Sequence, residues 1–494
     1  MKQLKEIRVS ARCLDSIAAH DFLRSALTEQ SSFLSTEQVL AWFQGRKEVH
    51  RFQLEMIPFR EMDRWNVENT SGNLVHVSGS FFRIEGIWVE TNYGDKPQWS
   101  QPIINQPEIG ILGIMAKEFH GILHFLMQAK MEPGNIDMIQ LAPTLQATRS
   151  NFTRVHKGKA PPYLDYFLDH PGARVRVDIL QSEQGARFLR KRNRNMIVHV
   201  LEEVPVYDDY CWMTLGQINQ ISKRDNLVNM DARTVLSCIP YHEELGPAGE
   251  VSETELDRML ANRAGKLDAF KLDLLSSAVR KDKALHTAGE IIGWFTRLKF
   301  KYKLDVERIP LKYVQEWHKT EYEIVHNQGK FFSVIAVRVQ ADNREVPAWT
   351  QPLVKPREPG LVAFLMKNFD GVCHFLVQGK VEPGNFDVVE MAPTVQCLTG
   401  NYREVPKDEW PGFVDYVLSS GAEQVRYRAM QSEEGGRFFR ETNLNMVVEV
   451  DESFPSTLPE EFLWLSLNQL KEFIRFNNFV NVQARCLLAC LGFI

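Results

Sequence analysis

The chain has 494 residues, 44% apolar and 24% charged, with a formal net charge of -5, so about two to four soluble domains are expected and no basic surplus points to nucleic acid. Seven scattered cysteines form no CxxC and no Cys/His ligand spacing, which excludes a disulfide framework and a zinc site as readings; Cys486 and Cys490, at helical spacing, read as core. No apolar run reaches about 18 residues and no apolar signal region opens the chain, so no membrane span is expected and the cytoplasm is the simplest location.

The first element expected is a helix, STEQVLAWFQGRKEV, carrying Trp42-Phe43 in a helical apolar pattern. Alternating strands follow in NLVHVSGSFFRIEGIWVET, then a short apolar central strand in GILHFLMQAK. Next comes the polar segment QAKMEPGNIDMIQLAPTLQATRSNF, Gln128 to Phe152, and then a strand in ARVRVDILQ. Ser182 is expected to N-cap a helix, EQGARFLRK. Thr214-x-x-Gln217 fits a capping box, and Asn229 fits the N-cap of a last helix.

The same order then repeats. HTAGEIIGWFTRLK, EIVHNQGKFFSVIAVRVQA and GVCHFLVQGK precede QGKVEPGNFDVVEMAPTVQCLTGNY, and Ser432, Ser466-x-x-Gln469 and Asn481 fill the later cap positions. The offset is 250 residues from His76 to His326 and 252 from Trp65 to Trp317. A period this long means two homologous domains packed about a pseudo-twofold axis, not a solenoid. The expected division is 1–245, a polar linker 246–258, and 259–494. Strands followed by helices give the α+β class, with helices on a mixed sheet in each half.

The polar segment is a Pro-Gly turn at a strand end, where sites tend to form. A specified turn accounts for Pro133, Gly134 and Asn135. It does not account for Lys130, Glu132, Asp137, Gln146 and Asn151, which recur with identical spacing. Buried polar groups need partners, so this set implies an internal network or a ligand. For an anion, Thr148 to Asn151, Lys130 and the helix N-termini at Ser182 and Ser432 are candidates. Trp65 and Trp317 suit base stacking or the core. His124 and His374 sit in apolar runs and read as core. His76 and His326 precede a glycine turn and are better placed for proton transfer, with Glu132 and Glu382 as the carboxylates. No GxSxG, P-loop, GxGxxG or carboxylate-rich metal signature occurs.

The doubled EPGN-x-D-x-x-x-x-APT-x-Q, QSE-x-G-x-R-F and N-x-N-M segments resemble the NDP-hexose 2,3-dehydratases of deoxysugar biosynthesis. The resemblance implies a homodimer whose subunit is a tandem duplication of a Nudix-like domain, each copy able to hold a dTDP-sugar. It implies dTDP-4-keto-6-deoxy-D-glucose as substrate, loss of water across C2 and C3 without metal or nicotinamide cofactor, and a separate 3-ketoreductase acting next. A Nudix hydrolase needs clustered glutamates in an REU-x-EE box, which neither QSEQGARFLRKRN nor QSEEGGRFFRETN contains. The alternatives are such a hydrolase, revived by Mg²⁺-dependent release of dTMP, or a dTDP-sugar-binding protein without turnover. The C3 hydrogen is α to a ketone, so a side-chain base with a donor for the enolate suffices. His76 or Glu132 with Lys130 would do this work, and His326, Glu382 and Lys380 in the second copy. The resemblance carries nucleotide contacts onto Trp65 with Ala147, Thr148, Arg149, Ser150 and Asn151. In the second copy they fall on Trp317 with Cys397, Leu398, Thr399, Gly400 and Asn401. Gln181-Ser182 and Gln431-Ser432 would close the sites. Arg149, a potential pyrophosphate clamp, has no counterpart, so the two sites are expected to differ.

Overall fold

A computed structural model describes residues 21–152, 160–241, 268–281 and 283–492; the expected linker 246–258 lies outside them. The N-terminal half contributes β1 (Phe52–Ile57), β2 (Trp65–Val67), β3 (Leu74–His76), β4 (Arg83–Thr91), β5 (Gln98–Asn105), β6 (Gly110–Phe119), β7 (Ile122–Met131), β8 (Ile139–Ala142), β9 (Leu145–Ala147), β10 (Ala173–Ser182), β11 (Arg192–Val200) and β12 (Tyr210–Met213). The C-terminal half repeats them as β13 (Leu304–Ile309), β14 (Trp317–Lys319), β15 (Glu323–His326), β16 (Phe332–Ala341), β17 (Ala348–Pro356), β18 (Gly360–Phe369), β19 (Val372–Lys380), β20 (Glu390–Pro393), β21 (Val395–Leu398), β22 (Val425–Ser432), β23 (Thr442–Glu449) and β24 (Phe462–Ser466).

Each half builds a seven-stranded mixed sheet, β10-β11-β6-β7-β12 with β8 and β9 alongside, and β22-β23-β18-β19-β24 with β20 and β21. The parallel neighbours are β6 with β11 and β18 with β23. Asn193 explains its recurrence here. Its Oδ1 accepts from the Gly110 N–H at 3.1 Å, and Asn443 accepts from Gly360 at 2.7 Å, fixing where the parallel pair starts. The Thr of each APT is a plug between strands: Thr144 Oγ accepts from Met115 N at 2.8 Å, and Thr394 from Leu365 N at 2.9 Å.

The two smaller sheets exchange strands. β1 of the first half runs antiparallel to β16 of the second, and β13 runs antiparallel to β4. Opposite charges hold the exchange: Arg308 forks onto Glu85 at 2.6 and 2.8 Å, and Arg338 meets Glu55 at 2.8 Å. One large core draws on both halves. It takes in Cys490, and Cys486 is equally buried.

Helix starts follow their caps. Ser35, Thr214, Thr287 and Ser466 form capping boxes, and Asn229 and Asn481 accept from the third N–H of helices Met230–Ser237 and Val482–Ala489. The expected helices after Ser182 and Ser432 are absent; both stretches are turns. Their backbone is taken by tertiary bonds instead. After a single turn, closed by Phe188 N to Gln184 O at 2.9 Å and Phe438 N to Glu434 O at 3.0 Å, Leu189 N donates to Ile104 O at 2.9 Å and Val354 N to Arg437 O at 2.9 Å, so the helical ladder goes no further. Among the described residues no helix is long and apolar enough to cross a membrane.

Candidate active site

The EPGN turns lie in the seam between the halves. Gly134 N donates to Gly435 O at 2.7 Å, and Arg440 N donates to Gly134 O at 2.7 Å. Gly384 meets Gly185 and Arg190 the same way, at 2.7 and 2.8 Å. A Cβ on Gly134 would stand 1.6 Å from the Phe438 carbonyl oxygen, so only glycine permits this approach.

Around the first turn opens a cavity of about 370 Å³, within the range of small-molecule sites. Trp65, His76, Phe81 and Phe82 form its aromatic wall; Lys130, Glu132, Gln146, Ala147, Thr148, Lys191 and Asp231 line it from the same half. Arg344, Glu434 and Arg437 enter from the other half. The site is therefore composite. Trp65 and His76 are cross-strand partners with rings edge to face at 5.5 Å. His76 Nδ1 pairs with Ser78 Oγ at 2.6 Å. Arg437 lies 4.1 Å over the Phe82 ring, and its Nε donates to Gln106 Oε1 at 3.1 Å.

The polar floor is a buried network. Lys130 Nζ donates to Gln146 Oε1 at 2.9 Å and stands 3.8 Å from Glu132 Oε1; Gln146 Nε2 donates to Asp231. Burial pulls the Lys130 ammonium below its usual range, opposed by the Glu132 carboxylate. Burial pushes Asp231 well above the usual carboxylate range, reinforced by Glu434 and Glu132. It pushes Glu434 up to about 7, opposed by Arg437, and brings Lys191 down to about 8, opposed by Glu183. Displaced values of this kind accompany proton-moving sites and buried structural networks alike.

The remaining expected residues fall elsewhere. Arg149 is exposed and does not line the cavity. Ser150 is committed to Glu108, its N–H donating to Oε2 at 3.0 Å and its hydroxyl to Oε1. The side chains of Asn151 and Asn401 lie outside the described set. Gln181, Ser182, Gln431 and Ser432 do not border the cavity but join the halves. Gln181 donates to Ile474 O, Ser182 Oγ to Glu390 Oε2 at 2.9 Å, and Gln431 Nε2 to Ser222 O at 2.8 Å, while Ser432 Oγ accepts from Gln140 at 2.7 Å. Asp137 and Asp387 stay outside the network and pair with Lys47 and Lys299. His124 and His374 are core residues, each bonded through Nδ1 to a nearby carbonyl at 2.9 and 3.0 Å.

In the second copy, Trp317 and His326 repeat the edge-to-face pair at 5.5 Å, and His326 is buried. Lys380 donates to the Gln396 carbonyl at 3.1 Å, and Gln396 Nε2 to Glu382 at 2.9 Å. Cys397 and Leu398 are half-buried on β21; Thr399 is buried, with its N–H on the Pro359 carbonyl at 3.3 Å, and Gly400 starts a short helix. Among the cavity residues that lack a like counterpart, Asp231 faces Gln483 in the alignment of the halves, Glu434 faces Gln184, and Lys191 faces Glu441. Laying one half over the other reveals all three in the sequence. None of the three lies in a motif shared by both halves as the same residue, so recurrence alone does not find them.

A family model described as NDP-hexose 2,3-dehydratase matches residues 36–239 and again 288–491. The chain belongs to the NDP-hexose 2,3-dehydratase family. A relative from Saccharopolyspora spinosa is 47% identical over 98% of this chain and 96% of its own length. One from Amycolatopsis orientalis is 44% identical over 95% and 92%, and one from Streptomyces violaceoruber 42% over 91% and 96%. All three carry the name dTDP-4-dehydro-6-deoxy-alpha-D-glucopyranose 2,3-dehydratase. The two family matches coincide with the two halves that trade β1 and β13.

Proposed function

We propose that this chain removes water across C2 and C3 of dTDP-4-keto-6-deoxy-D-glucose, in the cavity of the N-terminal copy, to give a 3,4-diketo-2,6-dideoxy sugar nucleotide. Near-full-length identity to three relatives of that name supports the reaction. The observation that carries the choice of site is the cavity holding Lys130, Glu132 and His76 together.

The C4 ketone makes the C3 hydrogen acidic. Glu132 takes that proton, and Lys130, 3.8 Å from it, faces the developing enolate oxygen. Trp65 and His76 supply a flat wall for the base, and Arg437 and Lys191 supply positive charge for the diphosphate. The reading extends to a Nudix-like fold for each half, supported by the single parallel pair in each large sheet and the flanking helices. It extends also to a cytoplasmic homodimer followed by a 3-ketoreductase, which the reactive diketone requires. The test is incubation with dTDP-4-keto-6-deoxyglucose and a 3-ketoreductase, followed by mass analysis. Loss of one water supports the reading; unchanged substrate, or Mg²⁺-dependent release of dTMP, contradicts it.

A further inference from the structure

The Gly-rich turn of the C-terminal half carries Glu434 into a cavity built mainly by the other half. The bonds from Gly134 N to Gly435 O and from Arg440 N to Gly134 O, both 2.7 Å, pin that turn over the EPGN segment. A Cβ on Gly436 would lie 2.9 Å from Glu434 Oε1 and 3.8 Å from Glu132 Oε1. The two carboxyls thus converge on one glycine from opposite halves. Gln146 reaches toward Glu132 at 3.5 Å, whereas no hydrogen bond among the described residues holds the Glu434 carboxyl.

The second copy supplies a natural control. Its turn, pinned by Gly384 N to Gly185 O at 2.7 Å, presents Gln184 where the first presents Glu434. Lys130, Glu132, Asn135 and Gln146 recur there as Lys380, Glu382, Asn385 and Gln396, while Gln483 and Glu441 stand in place of Asp231 and Lys191. A carboxamide keeps the volume and hydrogen-bonding capacity of a carboxyl but has no proton to transfer near neutral pH.

We propose that Glu434, delivered by the C-terminal half, is the general acid that protonates the departing C2 hydroxyl. This rests on the dehydratase reading above. Glu132 takes the C3 proton, and the C3–H electron pair becomes the C3=C4 bond of an enediolate. The electrons return to re-form C4=O as the double bond moves to C2=C3. The C2–O bond breaks in that same step, and the oxygen leaves as water with the Glu434 proton. Tautomerisation balances the cycle: the C3 enol proton returns to Glu434, and the proton on Glu132 goes to C2. Burial of Glu434 keeps its proton available up to about pH 7.

Glu434→Gln installs the residue of the second copy and tests the assignment beside the wild type. The expected result is a fall in kcat of about 10²–10⁴-fold with dTDP affinity within about twofold. Exchange of solvent deuterium into C3 should persist, because the base is untouched. Wild-type kcat should fall as pH rises through about 7, and the variant should lose that limb. A variant that turns over like wild type overturns the proposal, as does loss of C3 exchange together with turnover. If the variant does not fold, a wild-type profile without the falling limb overturns it instead. A wild type that releases no water refutes the dehydratase reading, which is a separate outcome.

Discussion

The N–H of Gly134 donates to the carbonyl of Gly435 at 2.7 Å, and the reciprocal bond joins Gly384 to Gly185 at the same distance. Each half therefore closes the other's EPGN turn. Gly134→Ala would drive a methyl against the Phe438 carbonyl, 1.6 Å from its ideal position. Overpacking of this kind costs about 1–3 kcal/mol. Denaturant melts should show that loss together with loss of turnover; an unchanged midpoint would contradict the seam.

Arg485 is a fully buried cation that stitches the same seam. It donates to Ser182 O and Val480 O, each at 2.6 Å, and to Thr234 Oγ at 3.3 Å. Arg485→Met leaves buried carbonyls without a charged donor. A loss of about 3 kcal/mol is expected in urea unfolding, and an unchanged midpoint would contradict this role.

Glu390 provides a pH signature. Burial pushes its carboxyl up to about 7, with Arg485 opposing. The unfolded carboxyl titrates near about 4.3. Between those values the folded chain holds a proton that the unfolded chain has released. Its contribution is thus full below about pH 4.3 and is lost as pH rises through about 7. The other copy has Gln140 at this position. Glu390→Gln should therefore raise stability at pH 8 and flatten the decline between pH 5 and 8. Parallel slopes for variant and wild type would contradict this.

Much of this architecture was legible in the residues. Cap residues such as Thr214 and Asn229 act locally, so their sequence spacing was enough to place the helices. The recurring Lys130, Glu132 and Gln146 announced a network, because buried polar groups need fixed partners. The strand exchange was not legible: β1 and β13 carry ordinary strand patterns, and nothing local says which sheet they join. The false helix after Ser182 arose for the same reason, since its backbone partners lie far away in sequence. Asp231, Glu434 and Lys191 were visible only as differences between the halves. Seeing that Glu434 serves the opposite half's turn required the fold.

The central claim is that water is removed in the N-terminal cavity and not in its second copy. Lys130→Met and Lys380→Met, assayed side by side on dTDP-4-keto-6-deoxyglucose for release of water, test it most directly. The account predicts that Lys130→Met lowers kcat by about 10²-fold or more while Lys380→Met stays within a few-fold of wild type. An active Lys130→Met beside an inactive Lys380→Met would contradict it.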